Sequence, residues 1–320
     1  MDISFNDDQI EIANQARRFF ENECPPDFVR EMYEDERGFT DALWTKMTEM
    51  GWMGMRIPDT YGGIGLELMD LCIVLEEMGR AVLAGPFFAT VLLASEFVLE
   101  AGKDFQKQHY LPKIAEGKIR GTLALFEADS GANPEYVRME ARKEGESFLL
   151  KGRKLFVPDG HVSDFMVVAA RTEQADNPAS GITLFLVPTK TKGVIITPFI
   201  TMDGSRKQCQ VDFNDVSVSP DDVLGDINEG WKVLKKVLQR AVVGLTAENV
   251  GGAQRAMEIA VEYAKIRMAF GQPIGAYQAI KHMCSEMLVD VESSRSILYY
   301  AAWAQEELDP PESALAASAA

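Results

Sequence analysis

The spacing of apolar residues predicts helices in the first part of the chain. Over residues 1–120 apolar side chains recur every three or four positions, which is the period of an amphipathic helix. The first helix begins at a capping box, in which Asn6 stands three residues before Gln9. Later helices are predicted to end at glycines, because glycine adopts the left-handed conformation of a helix end at low cost. These glycines are Gly51, Gly79 and Gly102.

The apolar period changes to two at about Gly121. Short segments rich in β-branched and aromatic residues alternate there with Gly, Asp, Asn and Pro, a pattern that predicts an antiparallel sheet or small barrel. The helical period returns at Gly230 and continues into an alanine-rich helix after Pro311. That helix contains no stop signal before Ala320, so the chain is expected to end inside a helix.

This order of elements predicts an α+β fold in which an antiparallel β domain separates two helical parts. The predicted domains are an N-terminal helical domain at 1–120, a middle β domain at 121–228 and an incomplete C-terminal helical bundle at 229–320. No internal repeat or low-complexity segment interrupts the order.

The charge of the chain limits its partners. The chain has 49 acidic and 32 basic residues. Its net charge of −17 disfavours nucleic acid and anionic membrane surfaces as binding partners. A local basic pocket can still hold a small anionic ligand. No stretch reaches the roughly 20 apolar residues needed to span a bilayer, and the N-terminus lacks the pattern of a signal peptide. The sequence therefore predicts a cytoplasmic protein.

Metal and disulfide chemistry are not indicated. The four cysteines and three histidines are scattered without a CxxC pair, so buried thiols and no metal site are expected. The motifs of dinucleotide-binding folds, P-loops, zincins and α/β-hydrolases are absent. Adjacent carboxylates such as Glu76 and Glu77 are interpreted as part of a solvated surface, since the chain is rich in acidic residues.

Residues 267–282, RMAFGQPIGAYQAIKH, carry the pattern R-x-x-F-G-x-x-I-x-x-x-Q and follow a G-x-A-Q sequence in the preceding helix. Upstream of this segment, in this order, the chain contains PDTYGGIG, QHYLPKIAEGK, FEADSGANPEYVRMEARKEGESFLLKGRKLFVPDG and VDFNDVSVSPDDVLGDINEGW. In these segments and in their order the chain resembles the acyl-CoA dehydrogenase family, and the resemblance extends over its whole length. The resemblance implies the three-domain fold, FAD as cofactor, an acyl-CoA substrate, an electron-transfer flavoprotein as partner and a homo- or hetero-tetramer.

The resemblance assigns three residues to the FAD of a neighbouring subunit. Arg267, Phe270 and Gln278 match the family positions that cross a subunit interface, where the arginine and the glutamine touch the pyrophosphate. A guanidinium suits this role because it presents a planar fork of donors whose charge persists at all relevant pH values. The alternative is an exposed helix arginine beside a Phe–Gly turn.

Five further residues match flavin-facing strands of the family. Leu125 and Phe126 correspond to a strand whose backbone amides bond the pyrimidine edge of the flavin, a role that survives side-chain change. Phe156, Val157 and Pro158 correspond to an aromatic-x-Thr segment that packs on the flavin. Phe156 keeps an apolar face, whereas Pro158 has neither a hydroxyl nor a backbone N–H.

Groups that contact the substrate in the family are missing. The resemblance places the glutamate that removes the α-proton either at the start of the long helix, where the matching residue is Ala241, or in a later segment that would lie beyond Ala320. A CoA-binding arginine of the family corresponds to Val242, and a serine beside the pantetheine corresponds to Ala132. Glu248 lies two helical turns after Ala241 and is interpreted as a structural or interface acid. No catalytic base is assigned.

Three hypotheses follow. The chain is the partner subunit of a hetero-oligomer that completes a shared FAD site, since residues toward a neighbour's FAD are kept and substrate groups are lost. Alternatively it is a self-sufficient homotetrameric dehydrogenase whose base lies beyond residue 320. A third hypothesis is a non-catalytic scaffold on the same fold.

Overall fold

The structure of the protein is a computed structural model that describes residues 5–128 and 137–320. Its α-helices are α1 (Asp7–Glu23), α2 (Pro26–Glu34), α3 (Asp41–Glu49), α4 (Leu68–Ala81), α5 (Glu96–Ala101), α6 (Asp104–Ala115), α7 (Gly230–Ile266), α8 (Gln278–Glu307) and α9 (Pro310–Ala319). Its strands are β1 (Gly121–Ala124), β2 (Glu140–Glu144), β3 (Ser147–Pro158), β4 (Phe165–Arg171), β5 (Ile182–Pro188), β6 (Val194–Pro198), β7 (Gln208–Val218), β8 (Val223–Leu224), β9 (Met268–Ala269) and β10 (Gln272–Pro273).

The chain forms two compact units. The helical unit draws on residues 1–29, 67–83 and 239–320, and the sheet unit on residues 30–66 and 84–238. The helix–sheet–helix order and the α+β class are confirmed. Among the described residues, no helix combines the length and the apolar character that crossing a membrane requires.

Helix α1 begins as predicted. The Asn6 side chain accepts from the backbone N–H of Gln9, the Gln9 side chain accepts from the backbone N–H of Asn6, and Ala16 and Phe20 are buried. Arg17 binds Glu77 of α4 in a bidentate manner, with nitrogen–oxygen distances of 2.7 and 3.0 Å. The two parallel hydrogen bonds fix the orientation of α1 against α4.

Of the adjacent carboxylates of α4, Glu77 is buried and Glu76 is half-buried, so their interpretation as a solvated surface was wrong. Glu77 is only 6% exposed and pairs with Arg17. Glu76 accepts hydrogen bonds from Arg295 at 2.9 Å and from the Tyr299 hydroxyl at 2.8 Å, both on α8. The two carboxylates therefore connect α4 to the helices on either side. Periodicity alone does not show this, because it locates the apolar face of a helix but not the partners of its polar residues.

Helix α4 also continues past its predicted end at Gly79 and stops at Val82, which adopts the left-handed conformation with a φ of 54°. Gly79 serves a different purpose. A Cβ atom on Gly79 would lie 1.9 Å from the carbonyl oxygen of Glu248, and one on Gly251 would lie 1.8 Å from that of Glu76. Glycine at both positions therefore allows α4 and α7 to cross with their backbones in contact.

A π-helical stretch, Ala89–Ser95, precedes α5. Within this stretch the Thr90 hydroxyl and the backbone of Gly121 lie 3.3 Å apart, which joins the helix to the start of β1. A π-turn inside a helix is typical of a functional or strained position.

The sheet runs in the order β6-β7-β3-β2-β4-β5-β8, with β1 paired to β4. Most pairs are antiparallel, as expected, but β1 lies parallel to β4 and a single pair joins β2 to β4 in parallel. The sheet is therefore mixed. Strand β2 was not predicted, since its sequence, EARKE, is too polar for the pattern of a strand.

Candidate functional site

Strand β3 contains a bulge that turns one aromatic side chain outward. Lys154 pairs with Val211 of β7 and Val157 pairs with Cys209, so β3 holds one extra residue between these pairs. Phe156 stands at the bulge with a φ of 52° and is 57% exposed. A positive φ is strained for a bulky residue, and strain of this kind is concentrated at functional sites.

The other predicted flavin-facing residues differ in burial. Leu125 is 3% exposed and Val157 is 0% exposed, so their side chains belong to the core of the sheet unit. Phe126 and Pro158 are half-buried. The N–H of Leu155 donates to the carbonyl of Phe126 at 2.8 Å, which holds the two segments side by side. Leu125 and Val157 can therefore offer a ligand only their backbone groups.

A buried ion pair lies directly behind these segments. The Nζ of Lys154, whose side chain is fully buried, donates to Glu127 Oε1 at 2.6 Å and to the carbonyl of Leu125 at 3.0 Å. Glu127 also accepts from the backbone N–H groups of Arg138 and Met139, at 3.1 and 3.0 Å. Burial lowers the pKa of Lys154 to about 8, and the nearby carboxylate of Glu127 opposes this change.

Lys154 was not among the predicted functional residues, although its position carries a signal. Counted in steps of two along β3, it shares the face of Phe148 and Leu150, which are both buried. A lysine on the inner face of a strand must have a partner for its charge. The sequence pattern could therefore have indicated the buried pair.

The R-x-x-F-G segment folds as a tight β-hairpin, which was not predicted. Strands β9 and β10 pair in antiparallel fashion and leave Phe270 and Gly271 as the loop. These two residues have φ values of 51° and 83°, as in the type I′ turn that favours short hairpins. Phe270 is 97% exposed at the tip, with its ring centroid 6.5 Å from that of Tyr277.

Arg267 and Gln278 flank this hairpin. The carbonyl of Arg267 accepts from the N–H of Ile274 at 2.8 Å, which closes the base of the hairpin. Gln278 is the first residue of α8, and its amide nitrogen lies 3.1 Å from Nε2 of His282. Both side chains are exposed on the chain. The hairpin base thus offers a guanidinium, an amide and a helix N-terminus, all of which attract anions. Contact with FAD stays a prediction.

The conformation of the hairpin loop predicts the effect of changing Phe270. Phe270→Asn is expected to raise the free energy of unfolding by about 0.5–1 kcal/mol, because Asn tolerates a positive φ and Asn-Gly is the preferred type I′ pair. Chemical unfolding of the cofactor-free chain measures this. Gly271→Ala is the matched control and is expected to lose about 1 kcal/mol. Lower stability of Phe270→Asn would show that the contact with Tyr277 outweighs the strain.

Helix α7 has apolar residues at the two positions that were matched to a catalytic glutamate and a CoA-binding arginine. Ala241 is 5% exposed and Val242 is 47% exposed, so the two positions offer only apolar side chains. Glu248 is 8% exposed and its backbone lies against Gly79 in the interior of the helical unit. Ala132 lies outside the described residues. The described part of the chain contains no group of three or more His, Cys, Asp or Glu that could hold a metal ion.

The residues present fit FAD. The exposed ring of Phe156 and the half-buried Phe126 offer apolar surface to a planar ring system. Arg267 and Gln278 supply a guanidinium and an amide N–H group, and both can donate hydrogen bonds to the oxygens of a diphosphate. The helical unit, the sheet unit and these two clusters are what a flavin-dependent oxidoreductase is expected to have.

Comparison with known proteins also indicates a flavin-dependent oxidoreductase. Models for the N-terminal, middle and C-terminal domains of acyl-CoA dehydrogenases match residues 6–118, 122–216 and 228–320. The 3-(aryl)acrylate reductase of Clostridium sporogenes is 32% identical over 298 residues, which cover 91% of this chain and 78% of the relative. An acyl-CoA dehydrogenase of Bacillus subtilis is 30% identical, over 92% and 78% of the two chains. Butyryl-CoA dehydrogenase from Megasphaera elsdenii superposes with a TM-score of 0.91 at 26% identity, over 100% and 84%.

The chain therefore belongs to the acyl-CoA dehydrogenase family. Members of this family are FAD-dependent oxidoreductases that act on CH–CH bonds. The resemblance found in the sequence is thus confirmed at the level of the family, the fold and the cofactor.

Proposed function

We propose that this protein serves the FAD-dependent α,β-dehydrogenation of an acyl-CoA thioester as one subunit of a hetero-oligomer. In this proposal it completes a FAD site that it shares with a related subunit, and electrons leave through an electron-transfer flavoprotein. The main support is the hairpin formed by β9 and β10. A phenylalanine held at a φ of 51° and 97% exposed, in contact with Tyr277 alone among the described aromatic rings, suits a surface that meets another subunit.

Each unit contributes one half-site in this proposal. Arg267 and Gln278 of the helical unit bind the diphosphate of the neighbour's FAD, with Phe270 beside it. In the sheet unit, Phe156 covers a flavin ring and the backbone N–H of Phe126 bonds its pyrimidine edge. Bound FAD would accept the β-hydrogen of the thioester as hydride.

The proposal that this chain is a partner subunit depends on two residues of α7. A dehydrogenase needs a base for the α-proton. Ala241 and Val242 provide neither a base nor a cation for CoA. A chain that keeps its groups for a neighbour's cofactor and has apolar residues at these two positions suits the supporting role in a mixed assembly.

Purification of the full-length chain, alone and together with the product of an adjacent related gene, tests the proposal. Visible absorbance gives the FAD content per chain, and an artificial electron acceptor reports dehydrogenation. We expect little FAD and no turnover from the chain alone, and both from the complex. Full FAD occupancy with turnover by the lone chain would establish the self-sufficient homotetramer instead. Absence of FAD from both preparations would favour a scaffold.

The role of Arg267 predicts a specific loss. Arg267→Gln is expected to weaken FAD binding by the complex about 100-fold, because hydrogen bonds to charged groups contribute about 1.5–3 kcal/mol. The free energy of unfolding of the Arg267→Gln chain should not change, since the side chain of Arg267 is exposed. Lys265→Gln removes the same charge from the same end of α7 and serves as the control. Equal FAD affinity of the two variants would argue against diphosphate binding by Arg267.

A further inference from the structure

One peptide group in the sheet unit bears a buried cation on its carbonyl oxygen. The carbonyl of Leu125 and the N–H of Phe126 belong to the same peptide group, and the carbonyl oxygen lies 3.0 Å from Nζ of Lys154. The lysine side chain is 0% exposed. Such a bond to a charged donor is strong in a buried environment, where water does not screen it.

The other end of this peptide group is available to a ligand. Within residues 5–128 and 137–320, no acceptor is found for the N–H of Phe126, whereas its carbonyl is bonded to the N–H of Leu155. A buried or half-buried backbone N–H normally has a partner. Phe126 is half-buried and lies beside the bulge at Phe156, so an acceptor atom of a ligand on this surface can complete the bond.

We propose that Lys154 is a positioning residue that polarises the Leu125–Phe126 peptide group and strengthens the hydrogen bond of its N–H to the flavin. A cation on a carbonyl draws electron density from the amide nitrogen, which makes the N–H a better donor. This inference rests on the proposed function. The pyrimidine ring of a flavin gains negative charge on reduction, so the stronger donor favours reduced FAD over oxidised FAD.

Glu127 sets the size of this effect. Its carboxylate lies 2.6 Å from the same Nζ and offsets part of the positive charge. Removal of the lysine charge and removal of the glutamate charge must therefore change the flavin in opposite directions. A merely structural role of the pair would make both variants alike, since each would loosen the same two segments.

The reduction potential of FAD in the complex that binds it tests this inference. Lys154→Met keeps the length of the buried side chain and removes its charge. We expect it to lower the preference for reduced over oxidised FAD about tenfold. For a two-electron couple this corresponds to a reduction potential that is lower by about 30 mV. Glu127→Gln is expected to raise that preference, while its oxygen can still accept from the backbone N–H groups.

Lys151→Met is the matched control, because Lys151 lies on the same strand and its side chain is 73% exposed. The reduction potential of FAD in the Lys151→Met complex should equal that in the unchanged complex. If Lys154→Met does not fold, the sign of the Glu127→Gln change decides alone. An unchanged or lower potential in Glu127→Gln overturns the inference while the proposed function stands. Failure of the unchanged complex to bind FAD overturns both.

Discussion

Gly251→Ala is expected to lower the free energy of unfolding by about 3 kcal/mol or more. A Cβ atom at this position would lie 1.8 Å from the carbonyl oxygen of Glu76 and 2.9 Å from the backbone nitrogen of Arg80. Both atoms belong to the backbone of α4, so no side chain can rotate away and the two helices must separate. Overpacking of this kind costs about 1–3 kcal/mol and occasionally more. Chemical denaturation of the purified chain measures the loss.

The neighbouring glycine of the same helix provides the control. The nearest atom to a Cβ on Gly252 is the carbonyl oxygen of Gly79, at 3.7 Å, which is an ordinary contact. Gly252→Ala is therefore expected to gain up to about 1 kcal/mol from the higher helix propensity of alanine. Equal effects of the two substitutions would mean that α4 and α7 do not cross as closely as described.

Asp159→Asn is expected to stabilise the protein at pH 8 by up to about 4 kcal/mol and to change little at pH 4. Asp159 is 1% exposed, and within the described part of the chain its Oδ1 has no hydrogen-bond partner. Burial raises its pKa from the ordinary 3.8 to about 7, although Arg206 and Lys207 oppose this. The difference of about three pH units corresponds to about 4 kcal/mol at about 1.36 kcal/mol per unit.

The sign of the effect follows from proton binding. The folded chain binds the Asp159 proton more tightly than the unfolded chain, so stability is complete below about pH 4 and is lost as the pH rises through about 7. Asparagine retains the shape of the side chain and tolerates its φ of 52°. Unfolding by denaturant at several pH values measures this.

Asp215→Asn serves as the control for this pH dependence. Asp215 has a similar φ of 50°, but its side chain is 62% exposed. Its substitution should leave the pH dependence of stability unchanged. An Asp159→Asn variant that retains the pH dependence of the unchanged protein would show that the carboxyl is solvated in the folded chain.

Much of the fold is evident from local patterns. The capping box at Asn6, the change of period near Gly121 and the return of helix at Gly230 all correspond to elements of the structure. These signals depend on neighbours a few positions apart in the chain. By contrast, β2 is a polar strand that owes its place to pairing with β3, and no local pattern reveals such a partner.

The candidate site was accessible to sequence reasoning only in part. The R-x-x-F-G spacing indicated Arg267, Phe270 and Gln278 as a group, and the structure explains the spacing by a hairpin between the arginine and the helix that begins at the glutamine. The conformations of Phe156 and Phe270 were not predicted. A left-handed phenylalanine is unfavourable by itself, so it arises only where pairing on both sides of it imposes the backbone.

The sequence by itself determined the α+β class and the order of helices and strands, which depend on period, and the family, which depends on motifs. Tertiary structure alone decided that Gly79 serves a helix crossing instead of a helix end, and that Glu77 pairs with Arg17 and Lys154 with Glu127. The physical reason is that the role of a glycine or a charge depends on the atoms beside it, and distant parts of the chain supply those atoms.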